Sequence, residues 1–341
     1  MAAITRGEVQ VERFAAFSDD PDAGNPAGVV RDAAPLGAEE MQEVAAAVGH
    51  SETAFVTGPI RRHALIPIRY FAPEGEVDFC GHATIATAVT IGESVGHGSY
   101  TLSTRVGPVA VTAHRDGART VGTLRSPATD CHPLDEHLAG PLLDALGWSA
   151  QDLDATLPPA IGYGGNKHPI LVARSLQRLA TLAYDFDALQ RLCREHDWIT
   201  VHLTVATGPR TWRARDPFPW GGVVEDPATG AAAAAFAGYL RAHTRAATGE
   251  SFVITQGGEM GRPSTITVEL TDRDLRPPNL TNPALPTTRG SRPPMVTSST
   301  NQPSRSAPPD PQTAAEVEER PGEARRRFEW AGELIHLVPA P

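Results

Sequence analysis

The stretch EVDFCGHATIATA (76–88) decides the fold, because it ends a short strand at a Cys-Gly-His turn and continues as a helix of small residues. A second stretch, VVEDPATGAAAAAFAGYL (223–240), repeats the order of strand, glycine turn and small-residue helix. Gly81 and Gly230 therefore occupy equivalent turns. The chain is predicted to contain two similar halves, the alternative being a chance likeness between two ordinary α/β stretches.

The spacing of residues before each turn supports the repeat. Glu52 precedes His82 by 30 residues, and Val201 precedes Ala231 by the same 30 residues. A helix-then-strand pattern precedes each turn, at 37–57 and at 186–206. A hairpin-like strand pair follows each turn, at 100–115 and at 252–270. Glu52 is paired with Val201 by this spacing, so a carboxylate at residue 52 is not needed to build the fold.

The domain division follows from the repeat and from a change of composition near residue 271. Residues 1–127 and 128–270 are predicted as the two similar domains. The segment 271–324 is rich in proline, serine and threonine, has few bulky apolar residues and is predicted to be a disordered insertion. Residues 325–341 regain strand character and are predicted as a final strand pair that packs back on the body. The alternative is a dispensable tail throughout.

Charge and cysteine content exclude several classes of function. The 341-residue chain has a net charge of −10, which argues against nucleic-acid and anionic-membrane partners. Cys80, Cys131 and Cys193 are widely spaced and form no C-x-x-C pair, which favours free thiols in a reducing compartment and no zinc site. No leader or membrane span is evident. We expect a soluble cytoplasmic protein.

Two helix starts aimed at one cleft predict an anion site. The first turn of a helix has unpaired N–H groups and a partial positive charge, so the starts at Gly81 and Gly230 are suited to a carboxylate. Cys80 is a candidate thiolate if the helix start lowers its pKa; the alternative is a buried small hydrophobe. Thr229 occupies the position equivalent to Cys80, which excludes a two-thiol mechanism.

Three other residues are candidates for acid/base chemistry. Glu52 opens a predicted strand, where partial desolvation raises a carboxyl pKa into a useful range; the alternative is a cap or a surface acid. His82 is suited to donating a hydrogen bond or relaying a proton, or else caps the helix. Asp226 precedes Pro227 and either stabilises the turn or binds a substrate group. No nucleotide loop, hydrolase elbow or H-E-x-x-H motif occurs, so nothing demands a metal or a cofactor.

Five motifs in order across about 1–270 resemble the PhzF-type phenazine-biosynthesis isomerases, which have the diaminopimelate epimerase-like fold. They are FAAFSDDPDAGNPAGVV, MQEVAAAVGHSETAFV, RYFAPEGEVDFCGHATIATA, VVEDPATGAAAAAFAGYL and QGGEMGRPSTITVEL. The resemblance implies an α+β fold of two domains, each a barrel-like sheet around a central helix, with the active site in the cleft between them. It also implies no cofactor and a homodimer.

The resemblance assigns roles to residues of these motifs. The family's catalytic glutamate falls on Glu52, its pocket histidine on His82 and its pocket aspartate on Asp226. Substrate binding is assigned to Asn25, Cys80, Gly81, Thr229, Gly230 and Ala231. Alanine at residue 231 replaces the family's serine, so one side-chain hydrogen bond is missing.

The resulting hypothesis is a cofactor-independent isomerase of secondary metabolism. Glu52 would remove a proton from a small carboxylated, unsaturated metabolite and return it at a conjugated carbon. One alternative is a one-base amino-acid epimerase or racemase that uses Glu52 with Cys80. Another is a catalytically idle small-molecule-binding homologue that recruits partners through its proline-rich segment.

Overall fold

The computed structural model describes residues 9–18, 20, 22–117, 119–243, 245–271 and 337–339. The insertion predicted at 271–324 lies outside these residues apart from Thr271. Of the predicted final strand pair, only Leu337–Pro339 is described, and it is a strand. Within the described ranges, no helix combines the length and apolar character that crossing a membrane requires.

The first half places two helices among eight strands. In chain order the elements are β1 Glu12–Ala16, β2 Asn25–Val30, α1 Ala38–Val48, β3 Glu52–Val56, β4 Leu65–Ala72, β5 Gly75–Val77, α2 Gly81–Ser94, β6 Gly98–Thr104, β7 Gly107–Asp116 and β8 Arg119–Ser126.

The second half repeats this order with two additional helices. Its elements are β9 Asp130–Pro133, α3 Glu136–Leu146, β10 Ala160–Tyr163, β11 Lys167–Val172, α4 Leu176–Ala180, α5 Phe186–His196, β12 His202–Gly208, β13 Thr211–Pro217, β14 Glu225–Asp226, α6 Gly230–Ala242, β15 Ser251–Gln256 and β16 Ser264–Glu269, followed by β17 Leu337–Pro339.

Strand pairing gives the two halves the same topology. In the first half β2 is parallel to β3, β3 antiparallel to β4, β4 parallel to β6 and β6 antiparallel to β7. In the second half β11, β12, β13, β15 and β16 follow the same series of parallel and antiparallel pairings. The backbone of β17 pairs in parallel with β16 and β8, so this strand joins one sheet edge from each half.

Each half is built around one helix that is buried on every side. All residues of α2 from Gly81 to Gly92 are buried, as are those of α6 from Gly230 to Leu240. A helix that is apolar all round needs a complete wall of partners, and small residues let the surrounding strands come close. At Gly122 of β8, an added Cβ would lie 2.7 Å from the Ile85 carbonyl oxygen of α2.

The helix predicted at 37–50 forms as α1. Met41 and Ala45 of this helix are buried, whereas Val44 and Val48 are partly exposed. The helix ends at Gly49, whose positive φ of 67° is a left-handed conformation that glycine adopts at little cost. This turn connects α1 to β3, whose first residue is Glu52.

Candidate active site

The starts of the two central helices touch each other. An added Cβ at Gly81 would lie 3.3 Å from the Gly230 Cα and 3.4 Å from the Ala231 nitrogen. Cys80 and Thr229 are the residues just before α2 and α6, and neither caps its helix with a side-chain hydrogen bond. The two helix dipoles therefore point their positive ends at one place, as the repeat predicts.

Asn25, the first residue of β2, connects the two halves at this place. Its Nδ2 donates to Asp226 Oδ1 at 2.8 Å and to the Ala228 carbonyl oxygen at 2.8 Å. The same nitrogen lies 3.1 Å from His82 Nδ1, and the Asn25 side-chain oxygen accepts a hydrogen bond from Ser51 Oγ at 2.9 Å. One amide thus fixes side chains that are far apart in sequence.

Asp226 is held by residues that follow it in the second half. Its Oδ2 accepts a 2.6 Å hydrogen bond from Thr229 Oγ1, and its backbone carbonyl accepts one of 2.8 Å from Gln256 Nε2. Gln256 Oε1 in turn accepts the Thr229 N–H at 3.2 Å. The turn before α6 is thereby fixed by β15, in which Gln256 is the last residue.

Glu52, Cys80 and His82 form a compact group beside Asn25. Glu52 Oε2 lies 3.5 Å from His82 Nε2, and Cys80 Sγ lies 3.4 Å from His82 Nδ1. Glu52 Oε2 is buried and has no hydrogen-bond partner in the part of the chain that the structure describes. A carboxylate oxygen without a partner is free to accept a proton from a bound molecule.

All the side chains of the candidate site are almost fully enclosed. Asn25 is 0%, Glu52 6%, Cys80 3%, His82 2% and Asp226 2% exposed. A cavity of about 210 Å³ lies elsewhere, between Glu76, Arg105, Asn166, Lys167 and Trp220, and does not include these five residues.

Comparisons with known proteins identify the family of this chain. The family model PhzC-PhzF, described as "Phenazine biosynthesis-like protein", matches residues 14–280. The chain belongs to this family. Similarity to the trans-2,3-dihydro-3-hydroxyanthranilate isomerase of Pseudomonas chlororaphis reaches 35% identity over 73% of this chain and 86% of that protein. An uncharacterized isomerase of Deinococcus radiodurans is 33% identical over 77% of this chain and 87% of that protein.

Solved structures give the same fold. A predicted epimerase from Pseudomonas aeruginosa superposes with a TM-score of 0.68 at 26% identity, covering 77% of this chain and 92% of that one. A PhzF-family protein from Bacillus anthracis gives 0.63 at 27% identity, covering 75% and 88%. A hydroxyproline epimerase from Agrobacterium vitis, at 14% identity, gives 0.57 over 78% and 86% and supports the fold alone. The predicted diaminopimelate epimerase-like fold and family are confirmed, and this PhzF-family chain is an isomerase.

Burial sets the proton affinities of the two carboxyl groups. Burial first, then the nearby Asp226, raises the pKa of Glu52 well above its ordinary value. Burial also raises the pKa of Asp226 to about 7, although hydrogen bonds from Thr229 and Asn25 oppose the rise. Two carboxyl groups that repel each other in an enclosed site favour a state with one shared negative charge.

His82 and Cys80 are both uncharged near neutral pH. Burial, with a smaller effect from His50, lowers the pKa of His82 to about 3, so its contact with Glu52 is not an ion pair. The hypothesis that the helix start makes Cys80 a thiolate is wrong. Burial and the neighbouring Glu52 raise the pKa of Cys80 well above its ordinary value and outweigh the N–H of Ala83.

Two residues of this site were not predicted. Ser51 bonds Asn25, and Gln256 bonds both Asp226 and Thr229. Both lie inside the motifs quoted above, and Ser51 directly precedes Glu52. Gln256 ends a strand in which apolar and polar residues alternate, and the period of two places its side chain on the buried face. A polar residue at such a position was the sequence signal that could have identified it.

Glu52, Cys80 and His82 also satisfy the donor types of a metal site. Their ligand atoms, a carboxylate oxygen, a thiol sulfur and an imidazole nitrogen, lie within 4.8 Å of one another. The sequence did not suggest this, because residue 52 is far from the Cys-Gly-His turn.

Proposed function

We propose that this chain is a cofactor-independent isomerase that moves a proton, and with it a double bond, along a small carboxylated, unsaturated metabolite. The observation that carries the proposal is Glu52, a buried carboxyl group with an unpartnered oxygen beside two uncapped helix starts. Relatives named as trans-2,3-dihydro-3-hydroxyanthranilate isomerase support a ring-containing carboxylic acid as the substrate class.

The substrate carboxylate is bound by the first turns of α2 and α6. Because no side chain caps either helix, first-turn N–H groups near Gly81 and Gly230 are suited to donate hydrogen bonds to an anion. Ala231 has no polar side chain, so only its backbone can contact the substrate. The substrate of this chain is therefore bound without the side-chain hydrogen bond that a serine at this position would supply. Asp226, Asn25 and Thr229 orient the remainder of the substrate.

Glu52 acts as a single base. Its carboxylate takes a C–H proton, the electron pair shifts along the conjugated system, and the resulting carboxylic acid delivers the same proton to the distal carbon. Burial of Glu52 strengthens the carboxylate as a base. Neutral His82, whose Nε2 is 3.5 Å from Glu52 Oε2, orients that carboxyl group and donates to developing negative charge.

Opening and closing of the site belong to this mechanism. Since the catalytic side chains are enclosed, the halves separate to admit substrate and then close. Closure excludes water and limits exchange of the transferred proton with solvent. A cytoplasmic location and a homodimer stay predictions.

An epimerase that uses one carboxylate, Glu52, together with Cys80 is the second candidate function. It is favoured by the uncharged Cys80 thiol, which lies in the same buried group as the Glu52 carboxyl and has a proton to deliver. Glu52 would remove the Cα proton and Cys80 would return one from the other face. This reaction inverts Cα without moving a double bond.

The deciding experiment is NMR in D₂O. Wild type and Glu52→Gln are incubated with trans-2,3-dihydro-3-hydroxyanthranilate and with unsaturated proline-type acids. Glu76→Gln, at a residue of β5 paired with Arg69 and Arg105, is the control for loss of a glutamate outside the site. We expect double-bond migration with wild type and Glu76→Gln, and none with Glu52→Gln. Exchange at Cα without migration supports the epimerase, and no reaction by any protein supports the non-catalytic binder.

A further inference from the structure

The second half contains a buried polar pair, Asp216 and His202, next to Asp226. We propose that these two are positioning residues that act through Asp226. By opposing the ionisation of Asp226, they keep a proton there and leave the negative charge of the site on Glu52. The electrostatic claim concerns the second half alone, whereas its importance for the reaction rests on the proposed function.

Asp216 lies directly opposite Asp226 in the sheet. The register of the antiparallel pair β13–β14 sets these two residues against each other. Directly opposed residues project their side chains from the same face of a sheet, with Cβ atoms about 4.5–5.5 Å apart. Asp216 is 0% and Asp226 2% exposed. Two carboxyl groups therefore face each other in a region of low dielectric constant, where the ionisation of one opposes that of the other.

The other face of the same two strands compensates its buried charge. Arg215 bonds the Glu225 carboxylate through Nε at 3.0 Å and through Nη2 at 2.6 Å. Successive residues of a strand point to opposite faces, so Asp216 and Asp226 receive no such partner. Within the ranges that the structure describes, no lysine or arginine is within ion-pair distance of either aspartate. An opposed pair of like charges weakens the fold, and local conflicts of this kind are typical of functional sites.

His202 fixes the Asp216 side chain. Its Nδ1 lies 2.8 Å from Asp216 Oδ1, and its ring packs on Phe236 of α6 with 5.2 Å between centroids. In the proposed arrangement the Nδ1–H of His202 donates to Asp216, which accepts as a carboxylate. His202 Nε2 and Asp216 Oδ2 are buried without a hydrogen-bond partner in the part of the chain that the structure describes. Unsatisfied atoms of this kind cost free energy, so packing alone does not explain the pair.

No further side chain around the two aspartates neutralises them. Burial lowers the pKa of His168 in β11 to about 4 and that of His82 in α2 to about 3, so neither imidazole is charged near neutral pH. Burial raises the pKa of Cys80, which leaves the thiol uncharged. The other titratable group that faces Asp226 is Glu52 of β3, a third carboxyl group.

Asp216 influences Glu52 through the ionisation of Asp226. Burial raises the pKa of Asp226 to about 7, and the nearby Asp216 adds to the rise. Asp226 is in turn the second cause, after burial, of the raised pKa of Glu52. It has that effect only when it is ionised, so a proton kept on Asp226 makes Glu52 easier to ionise. The opposed carboxylate thus directs the proton to Asp226 and the negative charge to the base.

The test is a pH titration of aspartate carboxyl carbons by ¹³C NMR in the full-length protein. The Asp226 signal is assigned by its loss in Asp226→Asn. Asp216→Asn removes the opposing charge and keeps the shape of the side chain, and Asp216→Thr removes the charge with a different shape. Asp197→Asn is the matched control, because Asp197 is an exposed partner of Lys167 in the same half and its positive φ of 58° suits asparagine.

We expect the apparent pKa of Asp226 to fall by at least about one unit, a tenfold loss of proton affinity, in both Asp216 variants. Asp197→Asn should leave it unchanged. The alkaline limb of the kcat/KM profile should move to lower pH with the Asp226 titration, whereas a merely structural role would lower stability and move neither. If neither Asp216 variant folds, wild type decides: a carboxylate signal other than that of Asp226 should shift at the pH where Asp226 titrates, and Asp226→Asn should lack this step.

An Asp226 titration that stays the same or rises in the folded Asp216 variants overturns the proposal. An equal shift in Asp197→Asn, or the lack of a coupled step in wild type where the Asp216 variants do not fold, overturns it as well. A shifted titration with an unmoved kcat/KM profile refutes the positioning role. A shifted titration in a protein that turns over no substrate supports the electrostatic claim and counts against the proposed function alone.

Discussion

Replacing Asp226 by asparagine should make the protein more stable at alkaline pH and leave it no more stable at acid pH. The substitution keeps the shape of the side chain. Its oxygen still accepts from Asn25 Nδ2, and its new amide can donate to Thr229 Oγ1, because a hydroxyl group also accepts. What the substitution removes is a buried group that titrates.

The magnitude follows from the pKa of Asp226, which burial raises from 3.8 to about 7. Below pH 3.8 the folded and unfolded states are both protonated, and the group costs nothing. Between pH 3.8 and 7 the unfolded state releases the proton that the folded state keeps, so the free energy of unfolding falls by about 1.4 kcal/mol per pH unit. Above pH 7 the loss levels off at roughly 4 kcal/mol.

Urea unfolding of both proteins between pH 4 and pH 8, followed by tryptophan fluorescence, measures this difference. The free energy of unfolding of Asp226→Asn minus that of wild type should increase steadily to pH 7 and then become constant. Removing Asp226 also lowers the cost of ionising Glu52, which adds to the same trend. Asp144→Asn, at an exposed position of α3, should change stability by less than about 0.5 kcal/mol at every pH. A difference for Asp226→Asn that is independent of pH would refute the reasoning.

Two further predictions concern the turns. Gly81→Ala should lower the free energy of unfolding by about 1–3 kcal/mol and reduce activity, because the added Cβ would lie 3.3 Å from the Gly230 Cα. Gly140→Ala in α3 places its Cβ in open space and should raise the free energy of unfolding by about 1 kcal/mol. Equal effects in urea unfolding would contradict the contact. Thr229→Val removes the donor to Asp226 Oδ2 and should move the apparent pKa of Asp226 in the kcat/KM profile upward by about one unit, whereas Thr229→Ser should not. An unchanged Val profile would argue against that bond.

The sequence predicted the helix starts because the features that form them are local. A strand, a glycine turn and a run of small residues are adjacent in the chain, and two copies at equal spacing imply two equivalent turns. The contact between Gly81 and Gly230 is the structural consequence. The boundaries of the two domains, at 127 and 270, stay predictions, since the described ranges of both halves belong to one compact unit.

Interactions between distant residues could not be predicted in this way. No local pattern indicates that the Asn25 amide spans 201 residues to reach Asp226, or that Gln256 fixes the turn before α6. The state of Cys80, either a thiolate or a buried small hydrophobe, could not be decided from the sequence for a related reason. A helix start lowers a thiol pKa only where burial is modest, and the degree of burial depends on strands elsewhere in the chain.

The symmetry of the scaffold does not extend to the chemistry. The counterpart of Glu52 in the second half is Val201 by sequence spacing. By strand register it is His202, because Ala27 lies opposite Glu52 in the parallel pair β2–β3 and Ile170 lies opposite His202 in the parallel pair β11–β12. Neither counterpart supplies a second base to the helix starts. Val201 packs in the apolar core of the second half, and His202 Nδ1 lies 2.8 Å from the buried Asp216. A single carboxylate that reaches two carbons suits proton migration along one face of the substrate. A symmetric two-base racemase requires a second acid/base side chain from the second half, where Val201 is packed in the core and His202 contacts Asp216.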